Sequence, residues 1–293
     1  MQTLPGLVGR SVNRPILVLE VMSARDEAAW VKLVELVRST GRFQPDFFSI
    51  TDTGPDREAV IETSIRLVRE FGSAFATRLI AHFTCGGRSE GDVFRHAREL
   101  YQLGVRHLLV LRGDGPRRGP FVPHPEGFSH PDELIWFLGR RAFPFVFGAA
   151  SYPVGHPQDA HDEQTWQTMR RKADAKVGFF VAQVELDHEN FLTHATLARG
   201  QGIMAPIIPG SFAVSTHERL RQVSRVCGVC IPEPFLTYPD KRILLELAGE
   251  VRLTWKQAHV PSLHLCTFND VGATHAFLSH LYDVRPVKDF ERR

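Results

Sequence analysis

Proton chemistry in this chain would begin at a carboxylate that follows four apolar residues. Glu20 closes the run Ile16-Leu17-Val18-Leu19. If such an acid points inward, its charged form is stripped of water and its pKa climbs toward the range of a general acid. The alternative is a rim carboxylate paired with an arginine. Asp114 is the second acid, in Arg112-Gly113-Asp114-Gly115, directly after the apolar run His107 to Leu111. A cation, a carboxylate and a flexible backbone thus meet at one strand end, and the glycines permit close approach to a planar ligand. Asp114 would serve as the electrostatic partner of a heteroaromatic ring, or would simply pair with Arg112.

Other polar groups fall at comparable places. Gln183 ends the apolar run Gly178-Phe179-Phe180-Val181-Ala182. A glutamine there must find partners or cost about 1–3 kcal/mol, and a ligand amide would satisfy both its donor and its acceptor. His82, within an apolar strand, reads on its own as a satisfied core histidine. Tyr152 and His156, separated by Pro153 and Gly155, could contact a ring or a phosphate, or simply form a loop. Lys172 follows Arg170-Arg171 in a charge run that reads as a solvated helix face, although its ammonium could reach a phosphate. Thr51 and Asn269-Asp270 also stand at strand ends.

What must position these groups is a repeat. Eight short apolar runs begin at Pro15, Phe47, Leu79, His107, Phe145, Gly178, Ala205 and Leu263, and segments with helical spacing of apolar residues separate them. Parallel strands need helical crossovers. Eight β-α units over this length predict a single (β/α)8 TIM barrel, whose C-terminal rim carries the chemistry. Residues 1–14 read as a loose leader and 15–293 as one barrel domain.

Bulk properties exclude several classes. The formal charge is +2 and the basic residues are dispersed, so no nucleic-acid footprint is present. No apolar run suits a bilayer span or a signal peptide, which predicts a cytoplasmic protein without membrane association. Cys227-Gly228-Val229-Cys230 has no second pair to complete a zinc site, so no metal is expected. The two cysteines read instead as small buried residues closing a helix.

The order of motifs resembles the methylenetetrahydrofolate reductase family, of the short bacterial type. The matching pieces are Phe48-Ser49-Ile50-Thr51, His82-Phe83-Thr84-Cys85, Leu111 to Asp114, Tyr152-Pro153 with His156-Pro157, Arg171-Lys172-Ala173-Asp174-Ala175, Gln183, Ile207 to Gly210, and Thr267-Phe268-Asn269. The resemblance implies a barrel that holds FAD at its C-terminal rim. NADH or NADPH would reduce the flavin and leave. Methylenetetrahydrofolate would then be reduced to 5-methyltetrahydrofolate. It also implies that Thr51, His82, Arg112, Gly113, Asp114, Tyr152, His156 and Lys172 contact FAD. Glu20 would be the general acid, and Gln183 would hold the pterin.

Departures stand beside the matches. Val21-Met22-Ser23-Ala24 replaces the family's two Phe and two Pro after the acid. Asp270 stands where the family has an Arg that helps hold the folate's acidic tail, a change of two charges. Thr165 and Thr168 replace Asp and Asn near the FAD ribose. Two other readings follow from these changes: oxidation of methyltetrahydrofolate in a demethylation pathway, or a flavin oxidoreductase acting on a different one-carbon or pterin-like substrate. A non-catalytic folate- or partner-binding barrel is a third, and it has no need of Glu20. The sequence leaves homo-oligomerisation and an electron-delivery partner subunit open.

Overall fold

Alternation along each strand builds the interior. In the first strand, β1 (Ile16–Met22), Leu17, Leu19 and Val21 join the large cluster that packs against helices, whereas Ile16 and Val18 join a second cluster. That second cluster gathers Phe47, Ile80, Leu109, Phe179, Val181 and Ile208 from other strands. It is the inside of a barrel, and a period of two puts Glu20 on the same inner face as Ile16 and Val18. The computed structural model describes residues 3–8, 14–51, 58–113, 121–141, 143–156, 162–258 and 261–282.

The remaining strands are β2 (Phe47–Thr51), β3 (Leu79–Thr84), β4 (His107–Leu111), β5 (Val146–Ser151), β6 (Phe179–Ala182), β7 (Ile207–Ile208), β8 (Gly210–Phe212) and β9 (Ser262–Cys266). They form one sheet in the order β7, β6, β5, β4, β3, β2, β1, β9, β8, and all the neighbours pair in parallel. The expected eight strands are therefore nine. β7 pairs with β6 and β8 pairs with β9, and only Pro209 separates the two. Proline has no N–H to donate to a ladder, so the seventh barrel strand is cut into halves that pair with opposite neighbours. Its carbonyl still accepts from the His264 N–H at 2.8 Å.

Helices alternate with the strands: α1 (Leu4–Val8), α2 (Glu27–Thr40), α3 (Ala59–Phe71), α4 (Glu90–Leu103), α5 (Pro131–Gly139), α6 (Asp162–Asp174), α7 (His188–Gly200), α8 (His217–Cys227), α9 (Glu233–Thr237), α10 (Asp240–Gln257) and α11 (Val271–Leu281). Their starts are chemically marked. Asp26 caps α2, Thr216 caps α8 and Asp270 caps α11, each accepting from a backbone N–H in the first turn. Ser89 and Asp92 form a reciprocal capping box on α4.

The segment read as a loose leader contains α1. Leu4 is fully buried among the barrel's inner residues, and its N–H donates to His107 Nε2 at 3.2 Å. A five-residue helix that contains a proline and a glycine is too short to show a helical period in the sequence. No helix among the described residues is long and apolar enough to cross a membrane.

Candidate active site

Three inward side chains from adjoining strands meet at the barrel mouth. Glu20 Oε2 lies 3.8 Å from His82 Nε2 on β3 and 3.8 Å from His264 Nε2 on β9. The Cys266 thiol, two residues along β9, hydrogen-bonds the same carboxyl group. Thr267 secures the strand end, since both its N–H and its hydroxyl donate to the Glu20 carbonyl, at 3.1 and 2.6 Å.

Burial sets the protonation states. It raises Glu20 from 4.5 to about 7, and the Cys266 hydrogen bond offsets only part of that rise. Burial lowers His82 to about 3, helped by the proximity of His264, and lowers His264 to about 4. Both imidazoles are therefore neutral near pH 7, and the 3.8 Å approaches are not ion pairs there. His82 Nε2 bonds the Ser49 hydroxyl at 2.9 Å, whereas His264 Nε2, buried, has no hydrogen-bond partner among the described residues. The result is a carboxyl group half-protonated near neutrality, beside two neutral imidazoles and a thiol. The ligand atoms of Glu20, His82 and His264 all lie within 4.8 Å of one another, a spacing that a metal ion could bridge.

A second group of residues runs around the rim from β2 to β6. Among the described residues Thr51 Oγ1, at the end of β2, is buried without a hydrogen-bond partner, as is Ser151 Oγ at the end of β5. Arg112 carries its guanidinium 5.2 Å from the Phe121 ring centre. Gly113 has φ +85°, and a Cβ built on it would meet Thr84 Cβ at 3.2 Å, so this turn belongs to glycine on both counts. Tyr152 and His156 meet edge to face, with ring centres 4.6 Å apart. Lys172 is only 6% exposed, and its ammonium donates to the Ala150 carbonyl at 2.8 Å. It belongs to the buried side of α6, in contrast to the solvated charge run read from the sequence. Thr165 accepts from the His156 N–H at 3.4 Å. Asp114, expected beside a ring, lies outside the described residues.

Two expected site residues already have partners in the chain. Gln183 Nε2 donates to the Cys227 carbonyl at 2.9 Å, and its Oε1 accepts from the Val184 N–H at 3.2 Å. The need inferred from the sequence is thus met without a ligand. The Asp270 carboxylate accepts from the Ala273 N–H at 2.9 Å as the cap of α11. The C-x-x-C pair also differs from expectation. Cys227 ends α8 half-buried, with Gly228 at φ +68°, but Cys230 is exposed.

His264, Cys266 and Ser49 were missed. Their signal was present in the strand alternation, since 262, 264 and 266 share one face. Using it requires knowing that β9 pairs with β1 in the register Glu20 to Cys266.

The sequence profile of the family described as methylenetetrahydrofolate reductase matches residues 10–282 of this chain. A probable methylenetetrahydrofolate reductase (NADPH) of Caenorhabditis elegans is 28% identical over 210 residues, which covers 68% of this chain and 32% of that one. A 5,10-methylenetetrahydrofolate reductase of Pectobacterium carotovorum subsp. carotovorum is 23% identical over 273 residues, covering 90% of this chain and 87% of that one. The chain spans about a third of the nematode and budding-yeast relatives it matches. Among solved structures, a protein from Clostridium thermocellum that binds two copies of 5-methyl-5,6,7,8-tetrahydrofolic acid superposes with a TM-score of 0.63 at 11% identity, over 92% of this chain and 95% of that one. At that identity the likeness is one of fold.

Proposed function

The chain belongs to the methylenetetrahydrofolate reductase family, and on that premise we propose that it reduces 5,10-methylenetetrahydrofolate to 5-methyltetrahydrofolate, with FAD at the barrel mouth and NADH or NADPH as electron source. The observation that carries this reading is Glu20. An inward carboxyl group with a pKa near 7 holds a proton at neutral pH and can release it to a substrate nitrogen as the methylene bridge opens. The neutral imidazoles of His82 and His264 leave that proton on the acid, because neither competes for it at this pH.

The residues of the rim fit FAD. Its diphosphate needs a cation and hydrogen-bond donors, and its ring needs a close backbone approach. A buried ammonium at Lys172, unpartnered buried hydroxyls at Thr51 and Ser151, and a glycine turn at Gly113 meet those needs. We assign Thr51, Arg112, Gly113, Asp114, Tyr152, His156 and Lys172 to FAD, with His82 bordering both the flavin and Glu20. The chemistry supplied by bound FAD is hydride transfer between nicotinamide and the one-carbon unit. Gln183 keeps a second N–H and a second acceptor site beyond its internal bonds, which suits a pterin edge.

A visible spectrum of the purified protein tests the proposal, with NADH and then methylenetetrahydrofolate added under anaerobic conditions. A flavin band that bleaches with NADH and returns with the folate is the expected result. A band that bleaches and does not return would move the substrate elsewhere. The absence of any flavin band after FAD is supplied would remove the cofactor assignment.

A further inference from the structure

The Glu20 carboxyl group stands between two imidazoles that reach it from other strands. Its Oε2 is 3.8 Å from His82 Nε2 and 3.8 Å from His264 Nε2, and the ligand atoms of the three residues all lie within 4.8 Å of one another. A point equidistant from atoms so spaced lies no more than about 2.5 Å from each, against about 2.0–2.2 Å for zinc bonds to histidine nitrogen and carboxylate oxygen. The two rings stand 25° from parallel with centres 6.5 Å apart, so each must turn about its Cβ–Cγ bond to aim a lone pair at that point. That torsion is soft.

All three donors sit on strands rather than loops, a rigid setting for ligands. Glu20 pairs with Ser49 of β2 on one side and Cys266 of β9 on the other, and Val18 pairs with His264. His82 and His264 are 7% and 3% exposed, whereas the Glu20 side chain keeps 21%, which leaves an ion a way in. An independent observation points to a ligand. His264 Nε2 is buried with no hydrogen-bond partner among the described residues, although buried polar atoms are as a rule satisfied. The Cys266 thiol hydrogen-bonds the Glu20 carboxyl group, the kind of outer partner that orients a ligating carboxylate. An ion would displace the Ser49 hydroxyl, which now bonds His82 Nε2 at 2.9 Å.

We propose that Glu20, His82 and His264 form a binding site for a divalent ion of the zinc class, and that an ion seated there holds the protein in an inhibited state. Two imidazoles and one carboxylate are a donor set of zinc sites that keep a fourth position open. Imidazole suits zinc and its neighbours over magnesium or calcium. Glu20 binds as the carboxylate and its proton passes to solvent, with no change of oxidation state. The donors are distant in sequence, so no spacing motif announces them, and the C-x-x-C at Cys227 takes no part. The site rests on these side chains alone. The inhibition rests on the folate reading above, since a carboxylate held by a metal has no proton to give.

Equilibrium dialysis of the FAD-loaded protein against zinc, after removal of metal by a chelator, tests the site. One equivalent is expected to bind. His264→Gln and His82→Gln are each expected to weaken that binding by more than about 100-fold, beyond the loss for an outer-shell partner. His188→Gln alters a second group of potential ligands, Asp187, His188 and Glu250, and is expected to leave the affinity unchanged. X-ray absorption of the wild-type protein with one equivalent of zinc needs no variant to fold. It is expected to show nitrogen and oxygen neighbours at about 2.0–2.2 Å and no sulfur at about 2.3 Å. A sulfur shell would place the ion on cysteines and overturn the proposal. So would a native affinity in His264→Gln, or loss of binding in His188→Gln. Bound zinc is also expected to slow reoxidation of the reduced flavin by methylenetetrahydrofolate by about 100-fold or more and to leave reduction by NADH unchanged. Folate turnover at the metal-free rate with the site filled would overturn the inhibition. A protein that binds zinc at these residues and turns over no folate when metal-free overturns the reductase reading and leaves the site standing.

Discussion

Replacing Glu20 with Gln removes an ionisable proton at nearly constant size, and the sign of its effect on stability depends on pH. Burial raises the Glu20 pKa from 4.5 to about 7, so the folded protein holds this proton more tightly than the unfolded chain does. Below pH 4.5 the group is neutral in both states and contributes its full stability. Between pH 4.5 and 7 the unfolded chain ionises first, and that stability is progressively lost. Above pH 7 the loss is complete, and at 1.36 kcal/mol per pH unit it amounts to about 3 kcal/mol. The side chain is 21% exposed, which trims the figure to about 2–3 kcal/mol. Glu20→Gln is therefore expected to be more stable than the native protein by about that amount at pH 8, and by less than about 1 kcal/mol at pH 5.

Urea unfolding at the two pH values, followed by tryptophan fluorescence, measures the difference. The same variant should lose about 100- to 10,000-fold in the folate half of the reaction while reduction by NADH is unaffected. A stability gain of equal size at both pH values would refute the assignment of a buried, protonated acid. Folate turnover at the native rate would refute its role as proton donor.

Three further outcomes follow from the geometry. Lys172→Met removes the buried ammonium beside Ala150 and Tyr152 and should yield protein that purifies with little bound FAD; a native flavin-to-protein ratio would dismiss Lys172 as a phosphate partner. Gly148→Ala would place a Cβ 2.3 Å from Phe179 Cζ, a ring fully buried inside the barrel, and should cost about 1–3 kcal/mol; an unchanged urea midpoint would show that the ring gives way freely. Ser89→Ala breaks the capping box of α4 and should cost about 1 kcal/mol, seen as a lower urea midpoint with no change in flavin content.

The legible parts of the molecule were those governed by local pattern. The barrel follows from eight apolar runs with helices between them, and the raised pKa of Glu20 follows from the four apolar residues before it, with burial its leading cause. What escaped depends on partners distant in sequence. Leu4 owes its burial to strands that follow it, including the His107 side chain 103 residues away. His264 and Cys266 acquire meaning only through pairing with β1. Gln183 is satisfied by a carbonyl 44 residues on, at the end of α8, so a polar residue at a strand end did not by itself demand a ligand. The split of the seventh strand was written locally in Pro209, but that Gly210 to Phe212 would resume pairing on the other side required the closed ring.

That ring closes through the pairing of β1 with β9, strands far apart in the sequence. On the ribosome, Glu20 emerges before its partners His264 and Cys266, which follow some 240 residues afterwards. At about 5–20 residues per second the delay is roughly 10–50 s. Throughout it, one flank of β1 is an unpaired edge that other chains can add to. The Glu20 pocket is thus completed only once β9 has been made, and a chain stopped before β9 carries the acid without His264 and Cys266 beside it.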